Sequence, residues 1–243
     1  MPEKIKIRPR DEATEKIECY IVENQLQPHD KLPSERHLSE LWGFNRMTLR
    51  SAITRLVEQG KLYSKLGSGT YVAVPKIKRN LQDLKSLSQV LKEENRELAT
   101  KTVSREIIES NKQISKSLLV PLGHKVLELT RVRYFDGTPS IIETSYVNIS
   151  RYPGIEESDF EKKSLYQVLE HDYKVNISHG SEKISVTYAT QEEATLLKIK
   201  ENQAVFFLRG IVVDVNNQPV EYFKSIVRSD MVRFSSILKK EGV

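Results

Sequence analysis

The chain has 243 residues, 38 Lys and Arg against 33 Asp and Glu, and 38% hydrophobic content, enough for one or two folded domains with a real core. No apolar run approaches the ~20 residues that span a bilayer. The N-terminal MPEKIKIRPRDEATEK lacks the apolar segment of a secretory signal. The one cysteine, Cys19, excludes a disulfide framework within the chain. The expectation is therefore a cytoplasmic protein with no membrane partner.

The charge is uneven. Residues 1–80 carry 15 Lys and Arg against 10 Asp and Glu, whereas residues 81–243 carry 23 of each, so the whole formal charge of +5 lies in the first third. A basic module on a neutral body points to a polyanion partner for the first piece.

Residues 11–25 place Ala13, Ile17, Tyr20 and Ile21 at helical spacing, with acids in the first turn. Pro28 in QPHD ends that helix. A second helix follows Ser34, a good N-cap, with an apolar stripe at Leu38, Leu41 and Trp42 closed by Gly43. A third starts at Asn45. Its Leu49, Ala52, Ile53 and Leu56 turn to the core, leaving Arg50, Ser51, Thr54 and Arg55 outside and Arg46, Met47 and Thr48 in the first turn. Two β-rich runs, Lys61–Lys65 and Thr70–Val74, flank LGSG and read as a hairpin.

Helices joined by a tight turn and followed by a hairpin make a winged helix-turn-helix, predicted over 1–74. The stretch GFNRMTLRSAITRL holds three arginines and no acid. That composition suits the first turn of a reading helix in a major groove, where Arg46, Thr48 and Arg50 contact bases or phosphates. Gly67 and Gly69 allow a wing to approach a groove closely, with Lys65 beside it.

Residues 75–82, beginning PKIKRN, read as a charged linker. Beyond it, over 83–243, strand-like runs dominate: TVSREIIES, KVLELTRVRYF, SIIETSYVNI, KVNISHGSEKISVTYA, AVFFLRGIVVDV and PVEYFKSIVRS. Helical pieces lie between them at Ser86–Glu94, Lys112–Leu119, Ser164–His171 and Gln191–Lys198. Without strict strand–helix alternation, the fold class is α+β with a mainly antiparallel sheet. The stretch SLLVPLGHKVLELTRVRYFDGTPSIIETSY echoes TLLKIKENQAVFFLRGIVVDVNNQPVEYFKS, setting Arg131 against Arg209 and Glu143 against Glu221. Such a repeat builds a cleft between two similar halves.

Period-two spacing puts Arg131 and Arg133 on one strand face. Facing inward, they need an anion between them; facing outward, they pair with surface acids. Glu143 and Glu221 either accept hydrogen bonds from a ligand or pair with those arginines. Ser164 and Tyr166 stand at a helix start, an anion site or a plain N-cap. The five histidines, His29, His37, His124, His171 and His179, have no metal spacing and no nucleophile beside them, so neither a metal, a cofactor nor a catalytic residue is expected.

LPSERHLSELWGFNRMTLRSAITRLVEQGKLYSKLGSGTYV resembles the GntR-type bacterial transcription regulators, whose pattern runs L-P-S-E-R-x-L, S-R-x-T-V-R-x-A-L and G-x-G-T-[FY]-V. The resemblance implies contacts with double-stranded operator DNA through Ser34, Arg36, Arg46, Thr48 and Arg50, with a glycine wing at Gly67 and Gly69. LKSLSQVLKEE, RVRYFDGTPSIIETSYV, SLYQVL and PVEYFKSIVRSD are similar to the UTRA effector-binding domain of the HutC subgroup. That likeness implies a chorismate-lyase-like fold. It also implies a pocket for a small metabolite, often a phosphorylated sugar, lined by Ser86, Ser88, Arg131, Arg133, Glu143, Ser164, Tyr166 and Glu221. Where many relatives carry Tyr-Arg-x-Asp, this chain has Val227-Arg228-Ser229-Asp230, which removes one hydroxyl contact. The implied protein is a homodimeric repressor released by a sugar phosphate or another anion. A sensor of non-sugar carboxylic acids and an enzyme of lyase-like fold are the alternatives.

Overall fold

A computed structural model of the chain describes residues 8–81, 90, 91, 94 and 96–236. The chain divides into two compact units, residues 1–76 and 77–243. In the first unit, helix α1 (Pro9–Glu23) starts on a proline, which has no N–H to leave unsatisfied at that position. Helix α2 (Glu35–Trp42) is capped by Ser34 and stopped by Gly43, whose φ of 72° suits glycine. Helix α3 (Arg46–Glu58) is capped by Asn45, whose Oδ1 accepts from the Met47 and Thr48 amides. Ala13 and Ile17 of α1, Leu38 of α2, and Leu49, Ala52, Ile53 and Leu56 of α3 form one buried cluster with Leu62 and Val72 of the hairpin.

The hairpin pairs β1 (Leu62–Lys65) with β2 (Gly69–Val72), Lys65 opposite Gly69. The Leu32 amide donates to the Thr70 carbonyl and the Val72 amide to Asp30, tying the α1–α2 connection to the wing.

The second unit holds a six-stranded sheet, all antiparallel, in the order β4 (Leu98–Glu109), β5 (Lys125–Phe135), β6 (Thr138–Asn148), β9 (Pro219–Arg228), β8 (Ala204–Asp214), β7 (Ile177–Tyr188). Helix α4 (Lys112–Leu118) precedes β5, and α6 (Gln191–Leu197) precedes β8. Two β-α-β-β units therefore meet where β6 pairs with β9, and the internal echo extends one strand further back in each half than its helix. Glu143 and Glu221 hold equivalent places in the repeat, each two residues before the paired Ser145 and Phe223. Arg131 and Arg209 do not. The β8–β9 turn is longer than the two-residue Asp136–Gly137 turn, which shifts the register. Val212 lies opposite Glu221, while Arg209 is exposed opposite Lys224, on the other sheet face.

One sheet face packs against α4 and α6. Ile114 and Leu118 of α4 meet Tyr146 and Tyr222, whose rings stack at 5.4 Å, and Leu197 of α6 meets Val132 and Ile142. The other face carries the main core, roofed by Tyr152, Ile155, Phe160, Leu165, Val168 and Leu169. The segment read as Ser164–His171 is a single α turn, α5 (Leu165–Gln167), running into a wider turn over Val168–Asp172.

The stretch read as linker contains a strand. Ile77–Asn80 (β3) pairs in parallel with Val232–Ser235 (β10), Ile77 opposite Val232. Ile77 belongs to the main core and is fully buried, so this charged segment has an inward face. The helix expected at Ser86–Glu94 falls almost wholly outside the described residues.

Candidate functional site

The roofed face of the sheet has a polar floor. Because alternate residues share a face, Arg131 and Arg133 of β5 point inward beside Glu143 and Ser145 of β6 and Glu221 and Ser225 of β9. Arg131 is 1% exposed and Arg133 6%. Each guanidinium donates through Nη2 to the same Glu143 oxygen, Oε1, at 2.5 Å from Arg131 and 2.6 Å from Arg133. The repulsion anticipated between the two cations is thus met by one internal carboxylate. Arg131 also lies over the Phe160 ring at 5.8 Å, and its Nη2 reaches Ser145 Oγ at 3.4 Å.

One carboxylate does not satisfy two guanidiniums. Nε and Nη1 of Arg131 and Nε of Arg133 are buried with no hydrogen-bond partner among the described residues. Buried donors left so are costly, and a ligand oxygen is their natural acceptor. Both arginines line a cavity of about 880 Å³, together with Arg79, Ser164, Tyr166, Glu182, Glu221 and Ser225.

Electrostatics divide this floor. Burial raises the Glu143 carboxyl, but the charges of Arg133 and then Arg131 outweigh it and hold the group well below the usual carboxylate range. Burial and then Arg133 lower Arg131. Burial, reinforced by the charge on Glu143, raises Glu221, against hydrogen bonds from Ser145 and Tyr166. The Tyr166 hydroxyl donates to Glu221 Oε2 at 2.8 Å, and burial pushes that phenol far up. The two arginines thus lie on one side of the floor, and the hydrogen-bonded Tyr166–Glu221 pair on the other.

The Glu221 reading carries a testable sign. A raised folded-state carboxyl pKa means that stability is lost as pH rises from the unfolded value, ~4.3, through the folded one. Glu221→Gln is therefore expected to melt above the parent at pH 8 and together with it at pH 4, as read by thermal unfolding.

Of the residues expected in this pocket, Arg131, Arg133, Glu143, Ser164, Tyr166 and Glu221 line one cavity. Ser86 and Ser88 lie outside the described residues. Ser164 is an N-cap whose Oγ accepts from the Gln167 amide, while the Gln167 side-chain Oε1 accepts from the Ser164 amide. The α turn it opens has three residues, too short for a helix-terminus anion site. Arg79 and Glu182 were not anticipated. Arg79 was counted as linker charge, and Glu182 sits on an edge strand with no motif around it.

The first unit presents a basic surface. Arg46 and Arg50 are exposed on α3, and Thr48 is partly so. The surface is less uniformly positive than GFNRMTLRSAITRL suggests, because Glu35 of α2 packs against it. Arg50 Nη2 donates to Glu35 Oε2 at 2.9 Å, and Nε is 3.2 Å from both oxygens. Arg55 is half-buried and bonds Asp11 of α1 rather than pointing free. Ser34 Oγ accepts from the His37 amide, and Arg36 pairs with Glu40 on the open surface. At the wing, Lys65 Nζ rests 5.1 Å from the Tyr71 ring and 5.7 Å from Tyr63, and Gly67 and Gly69 have φ of 72° and 124°.

The bacterial GntR regulatory-protein family model matches residues 9–72, and the UTRA domain model matches residues 93–233. The chain belongs to the GntR family, with a UTRA domain as its second unit. It is a DNA-binding transcription regulator rather than an enzyme.

Among relatives, the regulator is 30% identical over 220 residues to the HTH-type transcriptional repressor NagR of Bacillus subtilis, covering 90% of each chain. It is 26% identical over 233 residues to MngR of Escherichia coli, the mannosyl-D-glycerate transport/metabolism system repressor, covering 95% of this chain and 96% of that one. The crystal structure of PhnF from Mycobacterium smegmatis shares the fold, with a TM-score of 0.73 at 24% identity over 94% of this chain and all of that one. Among the described residues no helix is long and apolar enough to cross a membrane.

Proposed function

We propose that this regulator is a cytoplasmic repressor that binds its operator as a homodimer and is released by a small anionic metabolite, a phosphorylated sugar, held in the UTRA cavity. The observation that carries the reading is the pair of buried guanidiniums sharing one carboxylate oxygen on the wall of the cavity, with three of their nitrogens left without a hydrogen-bond partner among the described residues. A phosphate offers several strong acceptors to such forks. The Glu221 carboxyl, the Tyr166 phenol and the serines on the opposite side match sugar hydroxyls. The name of the mannosyl-D-glycerate repressor ties one relative to a sugar derivative, which supports the same class.

The test is a thermal-shift panel of sugar phosphates, free sugars and carboxylic acids on the full chain, since a ligand selective for the native state raises its melting temperature. Sugar phosphates are expected to give the largest shifts. A response to carboxylic acids alone replaces the effector class, and no response to any anion rejects the pocket.

On the DNA side, Ser34, Arg36, Arg46, Thr48, Arg50, Lys65, Gly67 and Gly69 form the contact surface. Arg50→Ala is expected to weaken operator binding by ~1–3 kcal/mol, the value of a bidentate base contact, which a mobility-shift titration reads. Unchanged operator affinity rejects Arg50 as a reading residue.

A further inference from the structure

The cavity has a third guanidinium, and it comes from an unexpected place. Arg79 lies on β3, the strand that begins the second unit immediately after the boundary at residue 76. Ile77 and Arg79 share one face of the strand, Ile77 sealed into the core and Arg79 reaching the cavity. The Arg79 Nη2 donates to Glu182 Oε2 of β7 at 2.6 Å, and its guanidinium lies 5.8 Å from the Phe234 ring of β10. The ladder of β3 is a two-stranded parallel pair of four residues, separate from the six-stranded sheet, and such a pair is marginal alone. The side chains of Ile77, in the core, and Arg79, on Glu182, are two of its anchors. The Arg79–Glu182 pair is partly open to solvent, at 30% and 20% side-chain exposure, so a stronger acceptor can displace it.

We propose that Arg79 is the residue through which an anion held by Arg131 and Arg133 acts on β3, by giving up Glu182 for the anion. The inference rests on the anion-pocket reading above and adds to it the element that responds. A phosphate on two buried guanidiniums is a firmer anchor than one carboxylate on an edge strand. Occupancy therefore tightens β3, and with it the start of the second unit. Arg79 acts here as a coupling residue that adds to anion affinity, while Arg131 and Arg133 remain the main hold on the anion.

The amides of Ile77 and Leu81, bonded to the carbonyls of Met231 and Ser235, are the reporters. Hydrogen–deuterium exchange is followed on the full chain with inorganic phosphate as probe. In the parent, phosphate is expected to slow exchange severalfold across β3 and also in β5 around Arg131 and Arg133. In Arg79→Gln the phosphate midpoint rises but at saturating phosphate the β5 protection remains and the β3 response disappears, while Arg79→Lys, which keeps the charge but not the fork, restores part of it. Glu182→Gln removes the competitor and is expected to lower the phosphate midpoint by roughly three- to tenfold.

Protection of β5 with no change in β3 in the parent overturns the coupling role and leaves the pocket reading standing. So does a β3 response that survives in Arg79→Gln. An unchanged midpoint in Glu182→Gln overturns the partner exchange. Protection nowhere removes the anion pocket, and the coupling with it.

Discussion

Glu143→Gln is expected to destabilise the ligand-free second unit by about 3 kcal/mol, the lower end of the ~3–5 kcal/mol typical when one partner of a buried ion pair is removed. The reason is the geometry of a single oxygen. Glu143 Oε1 accepts from both Arg131 and Arg133, so losing its charge leaves two buried cations facing each other on one strand. The lower end applies because the Glu143 side chain is 20% exposed, so solvent screens part of the repulsion, although Arg131 itself is 1% exposed. The pH dependence follows from the depressed carboxyl. Its stabilisation is complete above the unfolded value, ~4.3, and is lost as pH falls through the lower folded value. Parent and variant should diverge at neutral pH and converge under strongly acidic conditions in thermal or urea unfolding. Added phosphate should raise the variant more than the parent, because the anion supplies the missing charge. Equal stability at pH 7 would show that the two arginines do not depend on a counter-charge, and the case for an anion site would fall with it.

The parts of this site that were legible in the sequence are those set by local periodicity. Arg131 and Arg133 two apart in an apolar run had to share a face, and Glu143 in an equally apolar return strand had to lie near them. The caps at Ser34 and Asn45 and the glycine wing followed from side-chain chemistry at fixed offsets. What stayed hidden depends on distant partners. β3 is four residues long and pairs in parallel with β10 from the far end of the chain, so neither segment carries a signal of its own. Arg79 was consequently read as linker charge. The repeat sets Arg209 against Arg131 by residue spacing alone, and a few extra residues at a turn are enough to send a side chain to the other face. The acid-free stretch on α3 misled in the same way, since Glu35 reaches Arg50 from a different helix.

The second large effect is expected from Arg133→Ala: loss of effector-dependent release with operator affinity intact. Arg133 is the better choice of the two arginines. Arg131 is the more deeply enclosed, bonds Glu143 and Ser145 and lies against Phe160, so its removal damages the floor as a whole. Removing Arg133 leaves Glu143 paired with Arg131 and takes away one of the cations that line the cavity. A charge-assisted contact to phosphate is worth ~1.5–3 kcal/mol, so effector affinity should fall by roughly ten- to a hundredfold, enough to move release beyond an ordinary titration. Operator affinity without effector should not change, because the reading helix belongs to the other compact unit and Arg133 makes no contribution to its fold. A mobility-shift titration with the anion that scores best in the thermal panel measures both quantities at once. Release at the parental concentration would show that Arg133 is not an effector contact. Loss of operator binding alongside loss of release would point to a folding role instead, which an unfolding curve on the same preparation distinguishes.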